Sequence, residues 1–292
     1  MKKQLRNQII LFLTIIFINS FFLSCEKQKP DAKEELINKI DTLLTDENLN
    51  YLINTQDFME YFTLMKKQKA IYIDSLAKPS QFERASSRKT MLLRFGVLCS
   101  DIAYLRIIGK KAQLPEYDKL FQKYINDLNI SSFFRLEYEN YFNSLLNQEV
   151  SDSLFVELVK KFRDDRKQMI DKAKMIDLDF LVYYTLGAAL EQSYLTVKSI
   201  LSDNSNKYLA EINKHNKLFD KTNTFSSWKF LKITNEFVTD NPNFIEFKNE
   251  INKAKSIYEI ILDRIENGKD FTMQDIQDLE KHISLRRNEI LN

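Results

Sequence analysis

Arg94 and Asp101 stand seven residues apart in a segment, about 83 to 109, that is otherwise apolar on most faces. In a helix that spacing puts both on one face, two turns apart. Glu191 interrupts a second apolar run that begins at Phe180. Charged side chains inside two such segments admit two readings. In the first, Arg94, Asp101 and Glu191 line a polar pocket between core helices, and a carboxylate there binds a ligand or moves a proton. In the second they form a buried, hydrogen-bonded ion cluster that fixes how the helices pack.

Other groups able to do chemistry are few. Cys99 reads as a small core residue, because a thiol nucleophile needs a nearby base and the chain has two histidines in total. His215 lies in Asn-Lys-His-Asn-Lys, a solvated pattern, and His282 in the last helical stretch. Neither has a second histidine or an acid at the spacing of a helical metal motif, so no metal site is expected. The sequence has no nucleophile elbow, P-loop or dinucleotide fingerprint. With 41 acidic residues, a glycosidase-like carboxylate pair cannot be singled out by spacing. No catalytic residue and no cofactor is assigned.

The elements that must position these residues are helices. Four glycines and four prolines in 292 residues are too few for a strand-and-turn architecture. The expected fold is all-α: a multi-helix bundle or irregular α-α array of about nine to ten helices, without a sheet. A fixed 34-residue repeat is not found, so a regular tetratricopeptide solenoid is not expected. Helices are predicted at about 32–45, from about 47 to Pro79, and at about 132–148 and 152–175. The apolar segment at 83–109 has Gly109 as a C-cap, and Gly96, Ser100 and Ala103 give it a small-residue stripe for close helix approach. Pro115 opens an amphipathic helix to about 128, with Tyr117, Leu120, Phe121, Tyr124, Ile125 and Leu128 inward. A second core helix covers 177–201, with another small patch at Gly187 to Ala189; Asp179, Glu191 and Lys198 argue against a membrane span. Helices near 205–220, 224–240, 243–267 and 272–291 complete the chain, with Pro242 in the first turn of the third. Gly268 ends that helix, and Phe271, Thr272 and Ile276 have staple-and-cap spacing for the last. The C-terminal pair, 243–291, reads as an antiparallel hairpin within a single domain from 32 to 292.

At the other end, Lys2, Lys3 and Arg6 precede an apolar run from Ile9 to Ile18 broken only by Thr14. This is the pattern of an export signal, too short for a confident spanning helix. Phe22-Leu23-Ser24-Cys25 resembles the bacterial lipobox, in which a small residue precedes a cysteine that is lipidated and becomes the new N-terminus; Phe22 departs from the usual leucine. The resemblance implies a signal peptide at 1–24, lipidation at Cys25, and a tether to residue 31. Two or more acyl chains anchor stably where one does not. Removing the leader takes away three cations and no acid, so the formal charge falls from +2 by three, to −1. A nearly neutral chain has no global electrostatic reason to seek nucleic acid. With Cys25 lipidated, Cys99 has no disulfide partner in the chain.

Three stretches carry a further likeness: LRFGVLCSDIAYLRIIGKKAQ, YDKLFQKYINDLNI and SSFFRLEYENYFNSLLN. They resemble an uncharacterised all-helical lipoprotein family of Bacteroidetes, whose central helix carries a Gly-Val-x-x-x-Asp-(Leu/Ile)-Ala-Tyr segment. Gly96, Val97, Asp101, Ile102, Ala103 and Tyr104 match it, and the likeness extends over roughly 56 to 200. Asn54-Thr55-Gln56-Asp57 stands where a proline-containing entry is expected. The likeness implies an anchored helical domain and brings no activity with it.

The reading is therefore a membrane-anchored lipoprotein on the periplasmic face of the outer membrane, acting as a helical binding or scaffold module with an envelope protein as partner. The run after Cys25 mixes charges and lacks the acidic cluster associated with surface export in some Bacteroidetes lipoproteins. The alternative is a cell-envelope enzyme with a carboxylate site between the core helices.

Overall fold

Ser87 opens the central helix. Its hydroxyl accepts a hydrogen bond from the Thr90 amide at 3.2 Å, meeting one of the donors that every helix start leaves open. From there α1 runs Arg88–Ile107, a later start than the expected 83 because the cap lies at Ser87. The computed structural model describes residues 76–83, 87–108, 110–130, 179–203, 205–218, 226–237 and 244–292. The leader, Cys25, and the helices expected near 32–45, 132–148 and 152–175 lie outside the described residues, as do Gly109 and Pro242. So does most of the segment from 47 to Pro79; Pro79 itself opens a short 3-10 turn, Pro79–Phe82, where its missing amide costs nothing.

The described residues are all-helical, with no strand among them. α1 is apolar nearly all round, and Leu92, Phe95, Val97, Leu98, Tyr104 and Leu105 are fully buried. The amphipathic α2, Leu114–Leu128, packs on it with Pro115 in the first turn. Tyr117, Leu120, Tyr124, Ile125 and Leu128 are buried and Phe121 is half-buried. Asn129, in the left-handed region at φ 55°, ends α2. The buried tyrosines keep their polar tips paired: Tyr117 donates to the Ala77 carbonyl at 2.8 Å and Tyr124 to that of Phe82 at 2.7 Å. These bonds hold the strap before α1 against α2.

The second core helix begins with a π-helical turn, Phe180–Tyr184, and continues as α3, Thr185–Ser202. It is the element α1 touches most. The two backbones meet at glycine. A Cβ on Gly187 would stand 2.0 Å from the Leu93 carbonyl oxygen, and one on Gly96 would stand 2.3 Å from that of Tyr184. The small-residue stripes thus face each other, with the Ser100 hydroxyl donating to the Gly96 carbonyl at 3.0 Å and reaching that of Ala188 at 3.4 Å.

Four shorter helices and one long one follow: α4 Lys207–Leu218, α5 Ser226–Phe237, α6 Ile245–Asn252, α7 Lys255–Glu266 and α8 Met273–Leu291. The helix expected over 243–267 is two helices, broken at Lys253 and the fully buried Ala254. The inward positions Phe247, Ile251, Ala254, Tyr258, Ile261 and Ile265 run through the break without losing helical spacing, and no glycine or proline marks it. The break is not encoded in the local pattern.

The turn into α8 follows expectation. Gly268 adopts φ 61°, and the Lys269 amide reaches back to the Arg264 carbonyl at 2.8 Å. Thr272 and Asp275 form a reciprocal capping box, and Phe271 and Ile276 are buried on either side of it. Arg264 closes the corner on Asp275 at 2.7 Å, so α7 and α8 pack on each other across a stapled turn. Thr272→Ala is expected to lower stability by about 1 kcal/mol, read as a fall in the urea midpoint at unchanged slope.

Candidate functional site

α1, α3 and α8 bring three buried ionisable groups together. Asp101 and Glu191 are fully enclosed, with 0 % exposure each. The two carboxyls are close enough for each to feel the other's charge. Arg287 of α8 grips Glu191 with both arms of its guanidinium, Nε at 2.6 Å from Oε2 and the second nitrogen at 2.9 Å from Oε1. The guanidinium also lies over the Tyr194 ring, 4.1 Å from its centre. Asp101 Oδ2 accepts the Ala77 amide at 3.3 Å, which ties the strap before α1 to the same cluster.

Burial pushes the Asp101 carboxyl well above the usual carboxylate range, and the neighbouring Glu191 charge adds to the effect; Arg287 and the Ala77 amide oppose it and are outweighed. For Arg287 burial works against the charge, but Glu191 and Asp101 more than offset it, holding the guanidinium above its ordinary value.

Arg94 does not join this cluster. Its Nε donates to the Ile290 carbonyl and a terminal nitrogen to that of Gln81, each at 2.8 Å. It sits on α1 as expected and is buried, yet its work is to lash the Pro79–Phe82 turn and the end of α8 to α1. The reason is geometric: two helical turns separate it from Asp101, and backbone carbonyls at a helix end and a tight turn are the nearer acceptors.

The cation that completes the site is Arg287, which sequence reasoning passed over. A signal was present. Ile276, Leu279, Ile283 and Ile290 mark the inward stripe of α8, and Arg286 and Arg287 fall on it between Ile283 and Ile290. Arginines on an apolar stripe should have been read as partners of buried acids. Arg286 repeats the theme against α6. It pairs with the buried Glu250, which Lys89 of α1 approaches at 3.5 Å and Lys253 at 3.4 Å, while its other arm holds Glu289 at 2.8 Å. Burial would raise Glu250, but Arg286, Lys253 and Lys89 bring it below its ordinary range.

The remaining candidates stay apart. Cys99 is only half-buried on α1, against the expectation of a core position. His282 lies on α8, half-buried, and His215 falls within α4. Among the described residues no three histidine, cysteine or acidic side chains are grouped as metal ligands, and no helix is long and apolar enough to cross a membrane. A void of about 20 Å³ between α3, α4, α7 and α8 is bordered by Val197, Ile200, Ile212, Ile261 and Leu279 and has room for about one water. Asp101 and Glu191 do not line it.

Chemically, the cluster is occupied by itself. Both Glu191 oxygens are engaged by Arg287, and Asp101 Oδ2 by the Ala77 amide, while the equally enclosed Asp101 Oδ1 meets no donor. A general base needs a lone pair aimed at substrate, and these carboxyls aim theirs inward. Comparison of the chain with protein-family models, curated proteins and solved structures returned no match.

Proposed function

We propose that the chain is a lipid-anchored lipoprotein of the cell envelope whose helical domain works by binding, as a scaffold or adaptor for an envelope protein. The observation that carries this reading is the closed cluster at the α1–α3–α8 junction: Glu191 is held on both oxygens by Arg287 and Asp101 is sealed beside it, both in full burial. A junction of that kind braces a bundle, which leaves recognition to the surface. The leader pattern and the lipobox at Phe22 to Cys25 support anchoring, and the mixed-charge run after Cys25, which lacks an acidic export cluster, supports the periplasmic face of the outer membrane. The full helical complement belongs to the same proposal: nine to ten helices in a bundle or irregular array.

Two measurements test it. Cys25→Ala is expected to abolish incorporation of radiolabelled palmitate, and undiminished labelling would sink the anchor. In-cell crosslinking of the tagged chain, with an unrelated lipoprotein as control bait, is expected to recover one envelope protein reproducibly. Recovery of none would remove the adaptor reading.

One observation favours an enzyme instead. Asp101 is an acid of raised pKa beside a second carboxylate, a pairing that carboxylate catalysts also use. An envelope enzyme built on Asp101 and Glu191 would need both within reach of substrate. Native mass spectrometry showing a small molecule retained by wild type and lost in both Asp101→Asn and Glu191→Gln would support it.

A further inference from the structure

At the α1–α3–α8 junction two acids face one base. Arg287 commits two donors to Glu191 and neutralises it. Asp101 takes one hydrogen bond, on Oδ2, while its enclosed Oδ1 meets no donor. The Glu191 charge acts on the same carboxyl. Two ionised carboxylates cannot hydrogen-bond each other, and a buried anion without its own partner is among the costliest groups a fold can hold. A single proton removes both difficulties. We propose that Asp101 is a carboxylic acid at neutral pH, donating an O–H···O bond to Glu191, and that losing this proton at alkaline pH loosens the junction of α1, α3 and α8.

The surroundings bear this out group by group. From α3, Glu191 faces Asp101, and Tyr194 lies under the guanidinium. From α8 comes Arg287, already bound to Glu191 through two bonds. From the strap before α1 comes the Ala77 amide. Nearby charges are used elsewhere: Arg94 on the Gln81 and Ile290 carbonyls, Arg286 on Glu250 and Glu289, Lys198 on Glu280. With the proton in place the set is neutral: a carboxylic acid, a carboxylate and a guanidinium.

The sign of the pH dependence follows. A folded-state pKa raised above the unfolded value makes Asp101's contribution complete below the ordinary aspartate range, and it is lost as pH climbs through the folded-state value. Glu250 and Asp275 act in the opposite sense. Although burial raises both, Arg286 and its neighbouring cations lower the first, and Thr272 with Arg264 the second. Their contributions are present above the ordinary carboxylate range and lost as pH falls. The acid limb of stability therefore belongs to them, and the alkaline limb, which begins just above the ordinary aspartate range and ends at the raised folded-state value, to Asp101.

Carboxyl-carbon NMR on the unaltered full chain reads the proton directly. One aspartate resonance is expected at the protonated position near pH 7, moving only at higher pH. In thermal melts, wild-type Tm is expected to carry a component that falls as pH rises above the ordinary aspartate range and levels off once Asp101 has titrated in the folded state. Asp101→Asn replaces the O–H by a permanent N–H donor, so it should lose the unusual resonance, flatten the alkaline limb and leave the acid limb alone. The proposal is overturned if every aspartate carboxyl is ionised at neutral pH, or if the alkaline limbs of variant and wild type run parallel. The resonance is read on the unaltered chain, so the test survives a variant that fails to fold.

Discussion

Gly187→Ala is expected to destabilise the protein by about 3 kcal/mol or more, the upper end of what overpacking a core costs. The result would be notable for its sign. In an open helix interior, alanine is favoured over glycine by about 1 kcal/mol, so a looser α1–α3 crossing would make the same change stabilising. Here the new Cβ would lie 2.0 Å from the Leu93 carbonyl oxygen and 2.9 Å from its carbonyl carbon. Both are backbone atoms in the middle of α1, so no rotamer can turn aside. The helices would have to separate, opening the packing of Phe95, Leu98 and Leu190, all buried at this layer. Gly96→Ala is expected to behave alike, since its Cβ would meet the Tyr184 oxygen at 2.3 Å and the Ala188 nitrogen at 2.5 Å. Urea unfolding of both variants checks the claim. A midpoint equal to or above wild type for either would mean that the helices do not cross in backbone contact at that glycine.

Arg287→Met is expected to cost about 3–5 kcal/mol, because it leaves Glu191 buried without a counter-charge. Glu191 loses both of its short hydrogen bonds at once, and Tyr194 loses the cation over its ring. The loss would measure the stranding of a buried charge and not the net worth of the pair. The double variant Glu191→Leu with Arg287→Met separates the two, since replacing both partners by apolar groups of similar size is often close to neutral. Part of the lost stability is therefore expected to return, the remainder reflecting the buried Asp101 carboxyl left without Glu191 beside it, and the coupling appears as non-additivity in a double-mutant cycle. A single-variant loss below about 1 kcal/mol would place the pair in the class of exposed salt bridges, which the burial of both side chains contradicts. Recovery in the double variant would further show that the cluster orients helices without supplying the main driving force for folding.

These two predictions meet at one layer. The glycine contact sets how closely α1 and α3 approach, and that approach brings the buried Asp101 and Glu191 carboxyls near enough to influence each other. Arg287 then locks α8 against the pair, and Arg94 secures the last turn of the same helix through the Ile290 carbonyl.

Much of this architecture is legible in the residues themselves. The scarcity of glycine and proline, the all-round apolar α1, the one-sided α2, the left-handed Gly268 and the Thr272–Asp275 box are readable because helix period, caps and turns depend on neighbours three or four positions away. The burial of Arg94, Asp101 and Glu191 was legible for the same reason, since each breaks an apolar run. The partners of these groups were not. With 43 basic and 41 acidic residues, nothing local says which arginine reaches Glu191, a choice made 96 positions away by the face α8 presents to α3. Nor does the period reveal the break at Ala254, through which the inward stripe continues unaltered. Short-range steric and hydrogen-bonding rules let the sequence alone determine the kind of fold and the places where charge would be buried. Which helices cross at Gly96 and Gly187, and which cation answers the two acids, only the tertiary structure decided, because those outcomes depend on the simultaneous packing of several helix faces.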